Sequence, residues 1–297
     1  MKFDLLEDTD AVLITGPTAS GKSSLAVEVA KHVGGVVINA DSMQVYDTLK
    51  VLTARPSDED VQGVPHFLYG HVPATRTYST GEWLREVTPL LETLKGEGRM
   101  PVIVGGTGLY FKALTCGLSH MPEISQGTRC AVRLRLKEQG APALHAELSE
   151  RDPEAAKSLQ PTDGQRIVRA LEVLEETGKS LLAFQERRGP MIVDPARATK
   201  LVVLPDRAVL HERINQRFQR MMESGALDEV RALLAKEPAA DAPVMKAIGV
   251  REVAEMLEGR MTRNEVVERC SALTRQYAKR QMTWFRNQMD ETWRRVS

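Results

Sequence analysis

Eight residues near the start of the chain, Gly16-Pro17-Thr18-Ala19-Ser20-Gly21-Lys22-Ser23, have the types and spacing of a phosphate-binding loop. Glycines let the backbone curl so that successive N–H groups converge on phosphate oxygens. Lys22 adds a point charge, and the Ser23 hydroxyl is placed to ligate Mg²⁺. The motif does not specify which phosphate compound is held. Asp41 closes the apolar run at 36–40, on the strand edge where open α/β sheets bind ligands, so its carboxylate should face the loop across the crevice. It reads as a general base or a Mg²⁺ contact, with a helix N-cap as the structural alternative. Gly105-Gly106-Thr107-Gly108 follows a third apolar run and brings the Thr107 hydroxyl within reach of a ligand. A nucleotide hydrolase would normally carry an acid at the end of such a strand. Val102-Ile103-Val104 ends in glycines instead, which weakens an ATPase reading.

These residues need a scaffold. Apolar runs at 11–15, 36–40, 100–104 and 201–204 alternate with helical stretches, the pattern of a parallel sheet covered on both faces. The expected fold class is therefore α/β, a P-loop NTPase-like parallel sheet with helices on both faces. From about 129 to 180 the chain is charged and helix-periodic, punctuated by Asp152-Pro153 and Gln160-Pro161. Pattern alone fits a helical insertion domain or a covering layer of the same domain equally well. Read as an insertion, it spans 119–199 between core segments 1–118 and 200–297. Beyond Pro205 the chain reads as helices, over 208–224, 228–236, 250–259 and 263–290.

The 297 residues are 42% apolar and 27% charged, which excludes disorder and a low-complexity chain. Forty Lys and Arg balance forty Asp and Glu, which argues against a polycation that coats nucleic acid. The three cysteines, Cys116, Cys130 and Cys270, fit no disulfide framework and read as reduced thiols. Residues 1–10 are acidic and no apolar run is long enough to span a bilayer, so a cytoplasmic protein free of the membrane is expected.

Several segments carry a resemblance: the phosphate loop, Asp41-Ser42-Met43-Gln44-Val45-Tyr46, Gly63-Val64-Pro65-His66, residues 104–111, Asp163-Gly164-Gln165-Arg166-Ile167-Val168-Arg169, and Tyr277-Ala278-Lys279-Arg280-Gln281 through Arg286. Together they resemble the bacterial tRNA dimethylallyltransferase (tRNA isopentenyltransferase) family over nearly the whole chain. The resemblance implies transfer of a dimethylallyl group from its diphosphate to N6 of adenosine 37, next to the anticodon. It implies that Gly16, Pro17, Thr18, Ala19, Ser20, Gly21, Lys22 and Ser23 hold the diphosphate, with Mg²⁺ on Ser23. Asp41 is then the base at N6, Arg217 and Arg213 face the diphosphate, and Thr107 lies near the target nucleotide. Contacts to the tRNA anticodon stem-loop are implied for Asp41, Ser42, Met43, Gln44, Thr107, Arg129, Gln165, Arg166, Ile167, Val168, Arg169, Lys246 and Arg251. For Ile167, Val168 and Ile248, core packing of the side chains is the expectation. The partners implied are tRNA and dimethylallyl diphosphate, and the state a monomer.

The sequence departs from the family at two places. The usual Gly-Met-Asp-Ile-Gly-Thr-Ala-Lys-Pro pattern is replaced by Asp47-Thr48-Leu49-Lys50-Val51-Leu52-Thr53-Ala54-Arg55-Pro56, with Arg55 in the place of the lysine, and Phe67 stands where a second histidine is common. Rival readings are a P-loop small-molecule kinase, an adenylate isopentenyltransferase acting on free nucleotides, which would need no RNA-reading insertion, and a non-catalytic RNA-binding protein. Basic groups at 129–137, 213–220 and 275–295 are expected to converge on one RNA-facing cleft.

Overall fold

A parallel sheet carries the edge on which the chemistry-bearing residues sit. The computed structural model describes residues 5, 6 and 8–297, so residues 1–4 and 7 of the acidic N-terminal stretch lie outside the description. In chain order, β1 (Ala11–Thr15), α1 (Lys22–Val33), β2 (Val36–Asn39), α2 (Asp58–Val61), β3 (His66–Phe67), α3 (Thr80–Gly96), β4 (Pro101–Gly105) and α4 (Gly108–Cys116) come first. Four further helices follow, α5 (Gln126–Arg151), α6 (Pro153–Lys157), α7 (Gly164–Thr177) and α8 (Leu181–Gln185). The chain then returns to the sheet as β5 (Ala198–Val203) and continues through α9 (Arg207–Glu223), α10 (Ala226–Leu234), α11 (Val250–Leu257), α12 (Arg263–Gln288) and β6 (Arg294–Val296).

The six strands run in the order β3-β2-β4-β1-β5-β6 and pair in parallel throughout. Alternation of side chains sends Leu13, Ile38 and Ile103 to one face, against Trp83, Tyr110 and Phe111 of α3 and α4. Val12, Ile14, Val102 and Val104 go to the other, against Ala26 and Val29 of α1. Burial on both faces is why these strands read as continuous apolar runs. A third core joins α9 to α12 with the segment after β2, through Tyr46, Leu49, Phe218, Val230, Val250 and Val266.

Cys116–Met191 form a compact unit distinct from Met1–Thr115 with Ile192–Ser297. Its own core contains Val132, Leu144, Leu148, Ile167, Val168 and Leu171, where α5 packs on α7. Within α5 the helix is broken at Gly140, whose φ of 80° and ψ of 166° are not helical. The sequence reading put the fourth strand at 201–204. The strand starts at Ala198 because Ala198, Thr199 and Lys200 pair with Ala11, Val12 and Leu13. Thr199 and Lys200 are polar yet buried, and they hid the first half of the strand from an apolar pattern. Beyond the last expected helix, which was read to residue 290, residues 294–296 form an edge strand against Leu201, Val202 and Val203 that the sequence did not signal. Helix α3 went unread although its start is signalled by a capping box between Ser79 and Glu82.

Candidate active site

The phosphate loop leaves the carboxyl end of β1 and opens α1. Its curl uses left-handed backbone at Ala19 (φ 63°) and Gly21 (φ 93°), the first an unfavourable state for a residue with a Cβ. Gly16 is forced, because a Cβ there would lie 2.6 Å from the Val203 carbonyl oxygen. Inside the loop, Ser20 N and Lys22 Nζ donate to the Pro17 carbonyl at 3.2 and 3.3 Å. From α9, Arg213 Nη1 donates to the Ser20 carbonyl at 3.3 Å, which places a guanidinium on the rim of the loop.

Asp41 is held by its neighbours in the strand. Asn39 Oδ1 accepts from the Asp41 N–H at 2.9 Å, and Asn39 Nδ2 donates to the carbonyls of Asp41 and Leu68 at 3.0 and 2.9 Å. The Trp83 indole donates to the Asn39 carbonyl at 2.8 Å and stacks on Tyr110 with ring centroids 4.2 Å apart. The Asp41 carboxylate accepts from Met43 N at 2.9 Å through Oδ1, an Asx turn and not the cap of a helix. Next to it, Thr107 Oγ1 accepts from Ser42 N at 3.0 Å and lies 3.3 Å from Ser42 Oγ. The glycine turn admits this approach, since a Cβ on Gly105 would lie 2.0 Å from the Ala40 carbonyl oxygen.

Charge is concentrated around that carboxylate. Burial lowers the Lys22 ammonium to about pKa 8, with Asp41 opposing the shift and Arg217 adding to it. Burial also pulls Arg217 below its ordinary value, again opposed by Asp41. Tyr69, Tyr110 and Tyr277 are pushed well above the usual phenol range, by burial first and then by the Asp41 charge, so they stay neutral hydroxyls.

A cavity of about 320 Å³ opens here, lined by Thr18, Asp41, Ser42, Met43, Arg217, Lys246, Tyr277 and Arg280, with Ile214, Phe218 and Met221 as an apolar wall. The Arg280 guanidinium lies 5.7 Å from the centre of the Tyr277 ring. A smaller hollow of about 150 Å³ contains Ser23, His66 and Tyr69. Gln44 is not among the cavity residues, and its amide donates to the carbonyls of Thr53 and Ala54 at 2.9 and 3.0 Å. Arg251 is exposed and pairs with Glu255 at 3.3 Å. In the helical unit, Arg129, Gln165 and Arg166 are exposed. Arg169 pairs at 3.5 Å with buried Glu172, which also faces Arg133 at 3.6 Å. Ile167 and Val168 are buried in that unit's core, so their side chains present nothing to an RNA. The basic C-terminal segment divides. Arg280 lines the cavity, while Arg286 and Arg295 line a separate hollow of about 160 Å³.

Two anchors escaped the sequence reading. Glu229 of α10 accepts from the backbone N–H groups of Lys50, Val51 and Leu52 at 2.8, 2.6 and 3.1 Å. Arg55 Nη1 donates to the carbonyls of Tyr46 and Asp47 at 3.0 and 3.4 Å. With Leu49 and Leu52 in the core, they fix the segment that lacks the family's glycines. The Thr53 carbonyl in that segment accepts from Arg217 Nη2 at 3.4 Å, so the arch also orients a cation of the site. Glu229→Ala is expected to destabilise the protein by about 2–3 kcal/mol, the scale of hydrogen bonds to a charged group that leave part-buried donors unpaired. A denaturant midpoint equal to the parent's would contradict this.

A family model described as IPP transferase matches residues 44–288, and one described as isopentenyl transferase matches residues 9–69. A tRNA dimethylallyltransferase of Agrobacterium fabrum is 66% identical over 296 residues, covering 100% of this chain and 99% of that protein. The crystal structure of the full-length tRNA isopentenylpyrophosphate transferase of Bacillus halodurans has a TM-score of 0.68 at 34% identity, over 97% of this chain and 90% of that one. A eukaryotic dimethylallyltransferase acting on tRNA has a TM-score of 0.77 at 26% identity, over 93% of this chain and 69% of that one. With a phosphate loop, a pinned carboxylate and two cations gathered at one sheet edge, and with full-length relatives at this identity, the chain belongs to the tRNA dimethylallyltransferase family.

Proposed function

We propose that this protein transfers the dimethylallyl group of dimethylallyl diphosphate to the exocyclic N6 of the adenosine beside the anticodon of tRNA. The observation that carries the reading is a cavity lined by Asp41 and Arg217, with the Lys22 ammonium of the phosphate loop within electrostatic reach of both. The lone pair of N6 is delocalised into the purine ring, so attack on carbon needs a base. In the step, N6 bonds to C1 of the allyl group, the C1–O bond breaks, and the electron pair leaves with the diphosphate. The N6 proton passes to Asp41. Lys22, Arg217, Arg213 and the loop amides hold the departing charge, a preorganised cradle that acts most strongly where water is excluded.

Mg²⁺ fits the donor set. No group of three or more His, Cys, Asp or Glu that could hold a metal occurs among the described residues, so a dedicated protein cage is lacking. A loop hydroxyl with diphosphate oxygens is the arrangement Mg²⁺ favours, and Ser23 would hold it. Bound there, the ion supplies neutralisation of the leaving diphosphate. The acceptor base has to leave its stack to enter a pocket. Arg129, Arg166 and Arg169 of the helical unit, with Lys246 at the cavity, are the groups offered to the RNA backbone. No helix among the described residues is long and apolar enough to cross a membrane.

The deciding assay incubates the protein with labelled dimethylallyl diphosphate, Mg²⁺ and bulk tRNA, then digests the RNA and identifies the modified nucleoside. N6-dimethylallyladenosine is the expected product. Equal transfer to free AMP, or equal thermal protection by ATP and by dimethylallyl diphosphate, would count against the reading.

The Lys22 pKa gives the donor affinity a pH dependence. Below about pH 8 the ammonium is charged in the free protein. Diphosphate favours the charged form and raises its pKa in the complex, so donor affinity is full below pH 8 and falls by up to about tenfold per unit above it. Calorimetric titration of dimethylallyl diphosphate with saturating Mg²⁺ from about pH 7 to about pH 9.5 should show the decline. A flat profile would remove Lys22 from the diphosphate.

A further inference from the structure

The exposed and buried positions of α12 divide along one stripe, Tyr277, Arg280, Gln281 and Trp284. Tyr277 and Arg280 line the cavity. Gln281 does something else: it is buried, and both ends of its amide are committed. Oε1 accepts from Thr18 N of the phosphate loop at 2.9 Å, and Nε2 donates to the Gly106 carbonyl at 2.9 Å. The partners fix the amide's orientation, because a backbone N–H can only donate and a carbonyl can only accept. A Cβ on Gly106 would lie 2.4 Å from Gln281 Nε2 and 3.5 Å from Asp41 Oδ2, so glycine at 106 is what lets the amide in beside the carboxylate. One turn along, Trp284 covers Gly108, where a Cβ would lie 2.3 Å from the indole.

The geometry points to Gln281 as a positioning residue that sets the distance between the donor-holding loop and the acceptor-side loop. This rests on the transfer reading above and extends it. On one side, Thr18 belongs to the turn that holds the diphosphate. On the other, Gly106 precedes Thr107, whose hydroxyl accepts from Ser42 N next to Asp41. The two loops are joined at their base by Thr15 Oγ1, which donates to the Gly105 carbonyl at 3.0 Å. Gln281 joins them at their tips. It also spends the Thr18 amide, as Pro17 spends that of Ser20, and so leaves the diphosphate to the other amides of the loop. Transfer requires N6, C1 and the departing oxygen to be aligned, and a misplacement of about 1 Å costs roughly 10²-fold in rate.

Two variants test the assignment, each assayed with dimethylallyl diphosphate and a tRNA anticodon stem-loop. Gln281→Met fills the space without either hydrogen bond. It should lower kcat by roughly 10²-fold while the RNA dissociation constant stays within about twofold of the parent's. Gln281→Glu keeps the acceptor for Thr18 but, when ionised, turns a carboxylate oxygen on the Gly106 carbonyl. Protonated, it offers a hydroxyl donor in the same place, so its kcat relative to the parent's should rise about tenfold between pH 8.5 and pH 6, while that of Gln281→Met stays flat. The proposal is overturned by a kcat for Gln281→Met within about twofold of the parent's, or by a Gln281→Glu ratio that does not respond to pH. Activity that falls only in step with loss of folded protein in both variants also overturns it, leaving Gln281 a structural role alone. A parent protein that transfers no dimethylallyl group refutes the transfer reading itself, so the two failures are told apart.

Discussion

Asp41→Asn is expected to lower turnover by roughly 10²–10⁴-fold, the usual worth of a positioned general base, and to leave tRNA affinity nearly unchanged. Asparagine keeps the shape of the side chain and the acceptor for Met43 N, so the Asx turn survives. What it loses is the capacity to take the proton from N6. The substitution also removes the negative charge that opposes the downward shifts of Lys22 and Arg217. Its loss lowers the Lys22 pKa further, so the comparison belongs well below pH 8, where the ammonium stays charged; there the two cations have no competing anion, and dimethylallyl diphosphate should bind as tightly as before or more so. Turnover and donor affinity therefore move apart, whereas damage to the loop would weaken both. Single-turnover transfer with labelled donor, beside donor and RNA titrations, separates these outcomes. A variant with parental turnover would exclude Asp41 as the base.

How much of this site could be read in advance follows from the range of the interactions. The phosphate loop and Asp41 were legible because each is local: a motif or an acid at the end of an apolar run, on a strand edge fixed by the parallel sheet. The face of α12 carrying Tyr277 and Gln281 was legible as a stripe, but its use was not. Gln281 meets Thr18 across 263 residues, and Glu229 meets Lys50 across 179. No pattern within a helix says which distant N–H groups its carboxylate or amide will find. The same limit hid β6, a three-residue edge strand with two arginines that exists only because Leu201, Val202 and Val203 offer it a ladder. Charge shows the converse: a total of zero coexists with a cavity carrying Lys246, Arg217 and Arg280, because net charge averages over what a phosphate feels locally.

Glu229 and Arg55 also explain how this chain tolerates an unusual segment after Tyr46. The family pattern supplies glycines there, whereas this sequence supplies Leu49, Val51 and Leu52. Apolar side chains anchor the arch from the core side, a carboxylate collects its part-buried N–H groups, and a guanidinium collects the carbonyls before it. The outcome that matters for chemistry is the Thr53 carbonyl, which stands against Arg217.

Arg217 is the second residue whose loss should be severe. Arg217→Ala is expected to lower kcat by roughly 10²–10³-fold, the scale observed when one preorganised donor to a developing charge is removed. Its guanidinium answers to the Thr53 carbonyl on one side and to the Asp41 charge on another. Arg217→Lys should recover little, because an ammonium cannot spread donors in a planar fork toward a carbonyl and a phosphate together. Arg213 provides the control. It lies one turn earlier on α9, more exposed, and donates to the loop at the Ser20 carbonyl, so Arg213→Ala should cost about tenfold or less under solvent screening. Losses measured for both variants as kcat and as KM for dimethylallyl diphosphate place each charge. A loss at Arg217 confined to KM would mean that it binds the donor uniformly and does not favour the departing diphosphate in the transition state.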